Sequence, residues 1–325
     1  MFVNHYANGG IVKKWQERGQ STSSVAVRKE WETTKMTLHL FMQIVGKIKL
    51  KSMPRKNHWW NLTLFINSKG VTTGSMPYTN GCFEVQFNFI NHHLEINTNK
   101  GGSEAFNLQG ISVAEFYTTI FKKLDALGIH VKILAKPYSL PDANPITTPF
   151  EEMTEYNAYD KEYVERFWSV LLWVHETFTE FSGRFYGKTS PVQLFWHHLD
   201  LAVTRFSSKK VPFSKDMKVS DKDAYSHEVV SFGFWAGDEN VKEPAFYSYT
   251  YPSPKDLDKQ PLEPSFAKWE NNNGSAMALL LYNDLKKEVD PRNILLDFLE
   301  SCYIAGASLA GWQPDELKVP DIKDL

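Results

Sequence analysis

QLFWHHLDLAVTRF, residues 193–206, has two alternating faces of different chemistry. In an extended strand successive side chains point to opposite sides, so odd and even positions separate into two faces. Phe195, Leu199, Leu201 and Val203 make one face apolar, whereas Trp196, His198, Asp200 and Thr204 share the other with only Ala202. Antiparallel strands alternate in this way when one side meets a core and the other meets something polar. Two later runs repeat the split. In HEVVSFGFW (227–235), Val230, Phe232 and Phe234 oppose His227, Val229, Ser231, Gly233 and Trp235; in AFYSYTY (245–251), Tyr247, Tyr249 and Tyr251 align. Three such runs predict a sheet with one polar face, and that face is where a site is expected.

Around this sheet the periodicity changes to helical. Phe167, Val170, Leu171, Val174, Phe178 and Phe181 form a stripe over 160–183 behind Asp160 as N-cap. A Pro/Lys/Asp-rich loop (252–264), a fourth strand SAMALLLY (275–282) and a helix opened by Asp290-Pro291 complete the second half. The first half has the same order. A helix over 27–50 carries Trp31, Leu38, Phe41, Met42, Val45 and Ile48. Strand-like runs at 58–66, 70–78, 82–90 and 92–98 follow, separated by Gly-containing turns. Ser112 and Glu115 have capping-box spacing before a helix that ends at Gly128, and HVKIL (130–134) reads as a closing strand. The prediction is an α+β fold of two similar helix–antiparallel-sheet–helix units about an approximate internal two-fold. Its divisions are a poorly ordered leader (1–28), a first unit (29–135), a Pro-rich linker (136–159), a second unit (160–312) and a tail (313–325).

Composition narrows the function classes. At 42% hydrophobic and 23% charged residues the chain can bury a sizeable core. Ten Trp and fourteen Tyr favour half-wet pockets as well as core, because these rings carry a polar tip. A net charge of −2 argues against a general polyanion surface, so nucleic acid is a disfavoured partner. The N-terminal stretch lacks the apolar core of a signal peptide and no apolar run approaches a membrane span, so the expected location is cytoplasmic with no membrane contact. Cys82 and Cys302 sit in apolar runs and read as buried, reduced thiols.

Within this frame the candidate catalytic residues are Asp200 as base or orienter, His227 as its acid/base partner, and Tyr247 and Tyr249 as donors to developing charge. Arg205 is near in sequence, but parity puts it on the opposite face. His39, Gln43 and Lys47 recur at i, i+4 and i+8 as a narrow polar stripe on an apolar helix. That stripe is read as the far wall of a cleft or as an ordinary helix surface. His58 and Trp59 in NHWW, preceded by Lys47, Lys49, Lys51, Arg55 and Lys56, suit an anionic ligand or an edge-strand entrance. Lys188 and Ser190 stand at the entrance to the polar strand, beside Trp196. GKTS (187–190) imitates a Walker A end, but Gly183 is one residue too close. No structural zinc set can be assembled from two cysteines and adjacent His pairs on strands. A non-haem iron or zinc site drawn from separate elements, for example His39, His58, His227 and Asp200, stays open, as does a catalytic iron or manganese held by two or three histidines with Asp200 or Glu228.

TLHLFMQIVGKIKL, NHWW, SPVQLFW, DLAVTRFS, AYSHEV and AFYSYTYP together resemble a bacterial family of uncharacterised proteins defined by a domain of unknown function. The resemblance spans about residues 31–312. Tyr156 and Gln193 stand where the family is expected to have His, which weakens any metal set that uses those positions. It implies no cofactor, substrate or oligomeric state. The expected function is therefore an enzyme acting on a small polar or anionic molecule in an aromatic and polar cleft between the two units. The alternatives are a small-molecule binding module, a metal-dependent oxidoreductase and nucleic-acid contact.

Overall fold

The computed structural model describes residues 24–138, 146–272, 274–320 and 322. Most of the predicted leader, the middle of the predicted linker and the end of the tail lie outside these residues. The chain is α+β, with two six-stranded antiparallel sheets each flanked by helices.

The first unit opens with α1 (Ser24–Ser52), which carries the expected apolar stripe from Leu38 to Ile48 with no exposure. Strands β1 (Phe65–Asn67), β2 (Gly70–Thr72), β3 (Met76–Tyr78), β4 (Gly81–Asn88), β5 (His93–Thr98) and β6 (Ser103–Asn107) follow. Their order is β1-β2-β4-β5-β6, and β3 shares β4's edge with β2. Helix α2 (Val113–Ala126) starts at the predicted capping box, with Ser112 Oγ accepting from the Glu115 amide and the Glu115 carboxylate accepting from the Ser112 amide.

The second unit repeats the plan. Helix α3 (Lys161–Gly183) is capped by Asp160, whose carboxylate accepts from the amides of Glu162 and Tyr163. Next come β7 (Gln193–Phe195), β8 (Asp200–Lys210), the short helix α4 (Val219–Ala224), β9 (His227–Trp235), β10 (Ala245–Tyr251), β11 (Lys268–Asn272) and β12 (Ser275–Leu281). A short turn of helix, α5 (Tyr282–Leu285), leads to α6 (Pro291–Leu309), with Asp290 as N-cap and Pro291 at its first position. The sheet order is β11-β12-β10-β9-β8-β7. Helices α3 and α6 cover its apolar face, where Leu201, Val203, Val230, Phe232, Phe234 and Phe246 are buried. Arg205 shares that face, with its guanidinium 3.7 Å from the Phe181 ring centroid and donating to Phe181 O at 2.7 Å.

The units meet at their first strands, where Leu64 and Leu194 exchange backbone hydrogen bonds of 2.9 and 2.8 Å. One apolar core runs through both, from Phe41 and Phe116 to Phe178 and Phe232.

Four readings of local structure need correction. The stretch 193–206 is a hairpin rather than one strand: Trp196–Leu199 form its turn, with Leu199 at φ 57°. Phe195 pairs with Asp200, so Gln193 and Phe195 share the face of Asp200, Ala202 and Thr204, while Trp196 and His198 leave the strand. Residues 57–59 form a helical turn, with His58 at φ 57° and Trp59 at φ 58°, and extended structure begins at the Leu64 bridge. HVKIL makes no strand, and two edge strands, β6 and β11, had no apolar alternation to reveal them.

Candidate functional site

The polar face of the second sheet is the floor of a cavity of about 1350 Å³. Asp200 and Thr204 on β8, Ser231 and Trp235 on β9, and Tyr247 and Tyr249 on β10 all line it. They face the same way because their strands pair in register: Asp200 opposite Trp235, Thr204 opposite Ser231, and Tyr249 opposite Ser231 on the other side. The first unit supplies a wall through Lys47, His58, Trp59 and Trp60, and Tyr138 of the following segment joins it. The second sheet is thus the largest part of the lining, with its connecting loops and the first unit closing the sides.

Hydroxyls and one carboxyl organise the floor. Tyr247 Oη donates to Asp200 Oδ2 at 2.6 Å, Thr204 and Ser231 share a hydrogen bond of 2.9 Å, and the hydroxyls of Tyr225 and Tyr249 lie 3.2 Å apart. The Tyr247 and Tyr249 rings are nearly parallel, with centroids 6.1 Å apart, and Trp235 tilts against Tyr247 at 5.5 Å. Gly233 makes room for Tyr247, since a Cβ there would lie 2.2–2.4 Å from its Cζ, Oη and Cε1. Two buried polar atoms on this floor lack a hydrogen-bond partner: Asp200 Oδ1 and Trp235 Nε1. Burial pushes the Asp200 carboxyl above its ordinary range, against the opposing pull of His198, the Tyr247 hydroxyl and its own backbone N–H. The Tyr247 phenol is raised by the same burial and by the adjacent Asp200 carboxylate.

The other candidates fall elsewhere. Asp200 pairs with Trp235, eight residues along β9 from His227, so the two stand roughly 26 Å apart along the strand and do not form an acid/base pair. His227 instead approaches His58, with ring centroids 5.8 Å apart. His58 Nδ1 faces the carbonyls of Asp223 and Ala224 at 3.2 and 3.3 Å, so it carries the proton, and Nε2 accepts from the Lys188 ammonium at 2.6 Å. Burial lowers the pKa of both histidines, and Lys188 lowers each further. Lys188 itself packs over Phe206 at 4.7 Å. Trp59 donates to Ser220 O at 2.8 Å, tying the NHWW turn to α4.

The α1 stripe divides. Lys47 reaches the cavity, whereas His39 and Gln43 are buried in the joint between the units. His39 Nε2 contacts Trp196 O at 2.9 Å, and Gln43 Oε1 accepts from the Tyr138 amide at 2.7 Å. Trp196 is buried over Gly46 and donates to Leu62 O at 2.9 Å; its surface still borders the cavity. Ser190 is buried and accepts from the Thr204 amide at 2.9 Å. His39, His58, His227 and Asp200 therefore do not converge on one point. Among the described residues no group of three His, Cys, Asp or Glu is placed to hold a metal ion. The basic run before NHWW is also dispersed: Lys49 is buried, donating to the carbonyls of Thr63 and Thr73, and Arg55 pairs with Asp223 at 3.0 Å.

Trp235 and Ser231 were absent from the sequence-derived site although their parity marked them, because neither is a usual acid or base. Tyr225, in the connection before β9, carried no periodic signal at all. No helix among the described residues is long and apolar enough to cross a membrane. Neither a curated protein nor a solved structure matches this sequence. A family model does, over residues 25–319, and the chain belongs to that family, a family of unknown function (DUF5996).

Proposed function

We infer that the cavity over β8, β9 and β10 binds a small polar molecule and that Asp200 acts on it as a proton donor or acceptor. The observation that carries this reading is the Asp200 carboxyl, 8% exposed, with Oδ2 held by Tyr247 and Oδ1 without a partner. A buried polar atom left unsatisfied costs about 1–3 kcal/mol, and a ligand that meets it recovers that cost. A carboxyl held above its ordinary range by burial also keeps its proton closer to neutral pH, which suits general acid–base work.

A second reading, binding without transformation, is favoured by the separation of His227 from Asp200, which leaves Tyr247, a phenol held well above its ordinary range, as the titratable group of the original proposal that touches the carboxyl. A library of small polar compounds screened by thermal shift against the wild type and Asp200→Asn tests the site. Compounds that stabilise only the wild type support it, and none doing so overturns it. Proton NMR of each such compound over hours separates the two readings, since turnover lost in Asp200→Asn marks an enzyme and an unchanged spectrum marks a binder.

The meeting of β1 and β7 at Leu64 and Leu194 is the pairing an internal two-fold generates between equivalent strands. It supports reading the two units as a duplication in which the polar face of the second sheet forms a cavity and that of the first closes on itself.

A further inference from the structure

The two orphaned atoms of the floor belong to directly paired residues, Asp200 on β8 and Trp235 on β9. One is an acceptor and the other a donor, and paired residues across antiparallel strands have Cβ atoms only about 5 Å apart. A group that satisfies both must give a proton to the carboxylate and accept one from the indole. An ammonium cannot accept, and a phosphate or carboxylate would meet Asp200 as a like charge. An alcohol does both at one oxygen.

The surroundings agree with a neutral, hydroxylated ligand. Thr204, Ser231, Tyr225, Tyr247 and Tyr249 present hydroxyls that donate and accept by rotation, beside the flat faces of Trp235 and the stacked tyrosines. Asp200 aside, the lining holds four lysines (47, 218, 242, 268) and four carboxylates (221, 238, 243, 270), so the charges around it balance. The volume of about 1350 Å³ exceeds the roughly 300–1,000 Å³ of ordinary ligand pockets and leaves room for more than one ring.

We propose that the cavity takes a neutral polyhydroxylated molecule, a sugar or sugar alcohol, whose hydroxyls satisfy Asp200 Oδ1 and Trp235 Nε1. This rests on the reading of the cavity as a small-molecule site. The test is calorimetric titration of the full chain with glucose, galactose, mannose, myo-inositol, maltose, cellobiose and trehalose, with choline, spermidine and glucose 6-phosphate as charged comparisons. The expected result is that at least one neutral polyol binds, and that Asp200→Asn and Trp235→Phe each weaken it by about tenfold or more. Circular dichroism checks the fold of both variants, and Trp235→Phe, which keeps an aromatic ring, carries the test if Asp200→Asn folds poorly. No binding of any neutral polyol, or binding indifferent to the folded variants, overturns the proposal. Choline or spermidine binding that Asp200→Asn abolishes also overturns it while leaving the small-molecule site intact. A broad library with no ligand dependent on Asp200 removes both.

Discussion

The two sheets carry similar polar side chains on one face, yet they treat them differently. On the first sheet the polar groups satisfy one another. Asn67 donates to Gln86 at 2.6 Å, Asn88 donates to Glu95 at 2.7 Å, Thr72 donates to Glu84, and Lys69 pairs with Glu95 at 3.6 Å. On the second sheet, Tyr247 serves one oxygen of Asp200 while the other oxygen and the neighbouring indole N–H are left without partners beneath a cavity. A face whose hydrogen bonds close on themselves is a finished surface. A face that leaves buried groups open is stable only at a cost, and binding is what relieves such a cost.

The largest expected effect lies where the units are joined. Burial lowers the His39 pKa from 6.5 to about 4, so between those values the unfolded chain binds more protons than the native one. Stability therefore falls as pH drops through that window, by about 3 kcal/mol for a shift of this size, and no further below pH 4 from this group. Denaturant melts of wild type and His39→Gln at pH 7, 5.5 and 4 should show the variant missing that loss. Parallel pH curves would mean that His39 is not buried neutral.

Gly233→Ala comes next. Its Cβ displaces the Tyr247 ring, and overpacking of this kind costs about 1–3 kcal/mol. The same variant should abolish Asp200-dependent ligand stabilisation, and a variant that keeps both stability and binding would show that Tyr247 does not build the floor.

Asp200→Asn should act in the opposite direction on the free protein. Because the native carboxyl is raised above 3.8, its contribution to stability is full below that pH and is lost as pH rises through the native value. Removing the charge should stabilise the free chain at pH 7, because burial penalises the carboxylate and a neutral amide escapes that penalty while keeping an oxygen for Tyr247. A lower melting temperature would contradict the reading of Oδ1 as unpartnered. The counterpart on the first sheet, Glu84→Gln, should change stability by less than about 0.5 kcal/mol, as a partly exposed hydrogen-bonded surface position does.

How far the sequence revealed this contrast depends on the element. Alternation in 200–206, 227–235 and 245–251 was legible because one side of each strand is filled by the core that α3 and α6 complete. The caps at Ser112, Asp160 and Asp290 were legible because capping is a local hydrogen bond. The hairpin inside 193–206 was hidden by apolar residues in its turn, Trp196 and Leu199, which tertiary packing buries. His39 and Gln43 looked like a cavity wall because a helix stripe cannot tell a ligand from the backbone of a neighbouring segment. The partnership of Asp200 with His227 failed on register: parity fixed their common face but not their distance along the sheet.

The most direct test follows the indole N–H resonances of the two sheets together. Trp168 Nε1 is already bonded to Asn67 O at 3.2 Å beside the first sheet, whereas Trp235 Nε1 on the second has no partner. In ¹⁵N-labelled protein, with both signals assigned by Trp→Phe variants, a compound that stabilises wild type but not Asp200→Asn is titrated in. The Trp235 indole signal should shift downfield as it gains an acceptor, while the Trp168 signal stays fixed. A Trp235 signal that does not move at saturating compound would contradict the claim that the second sheet holds open groups for a ligand.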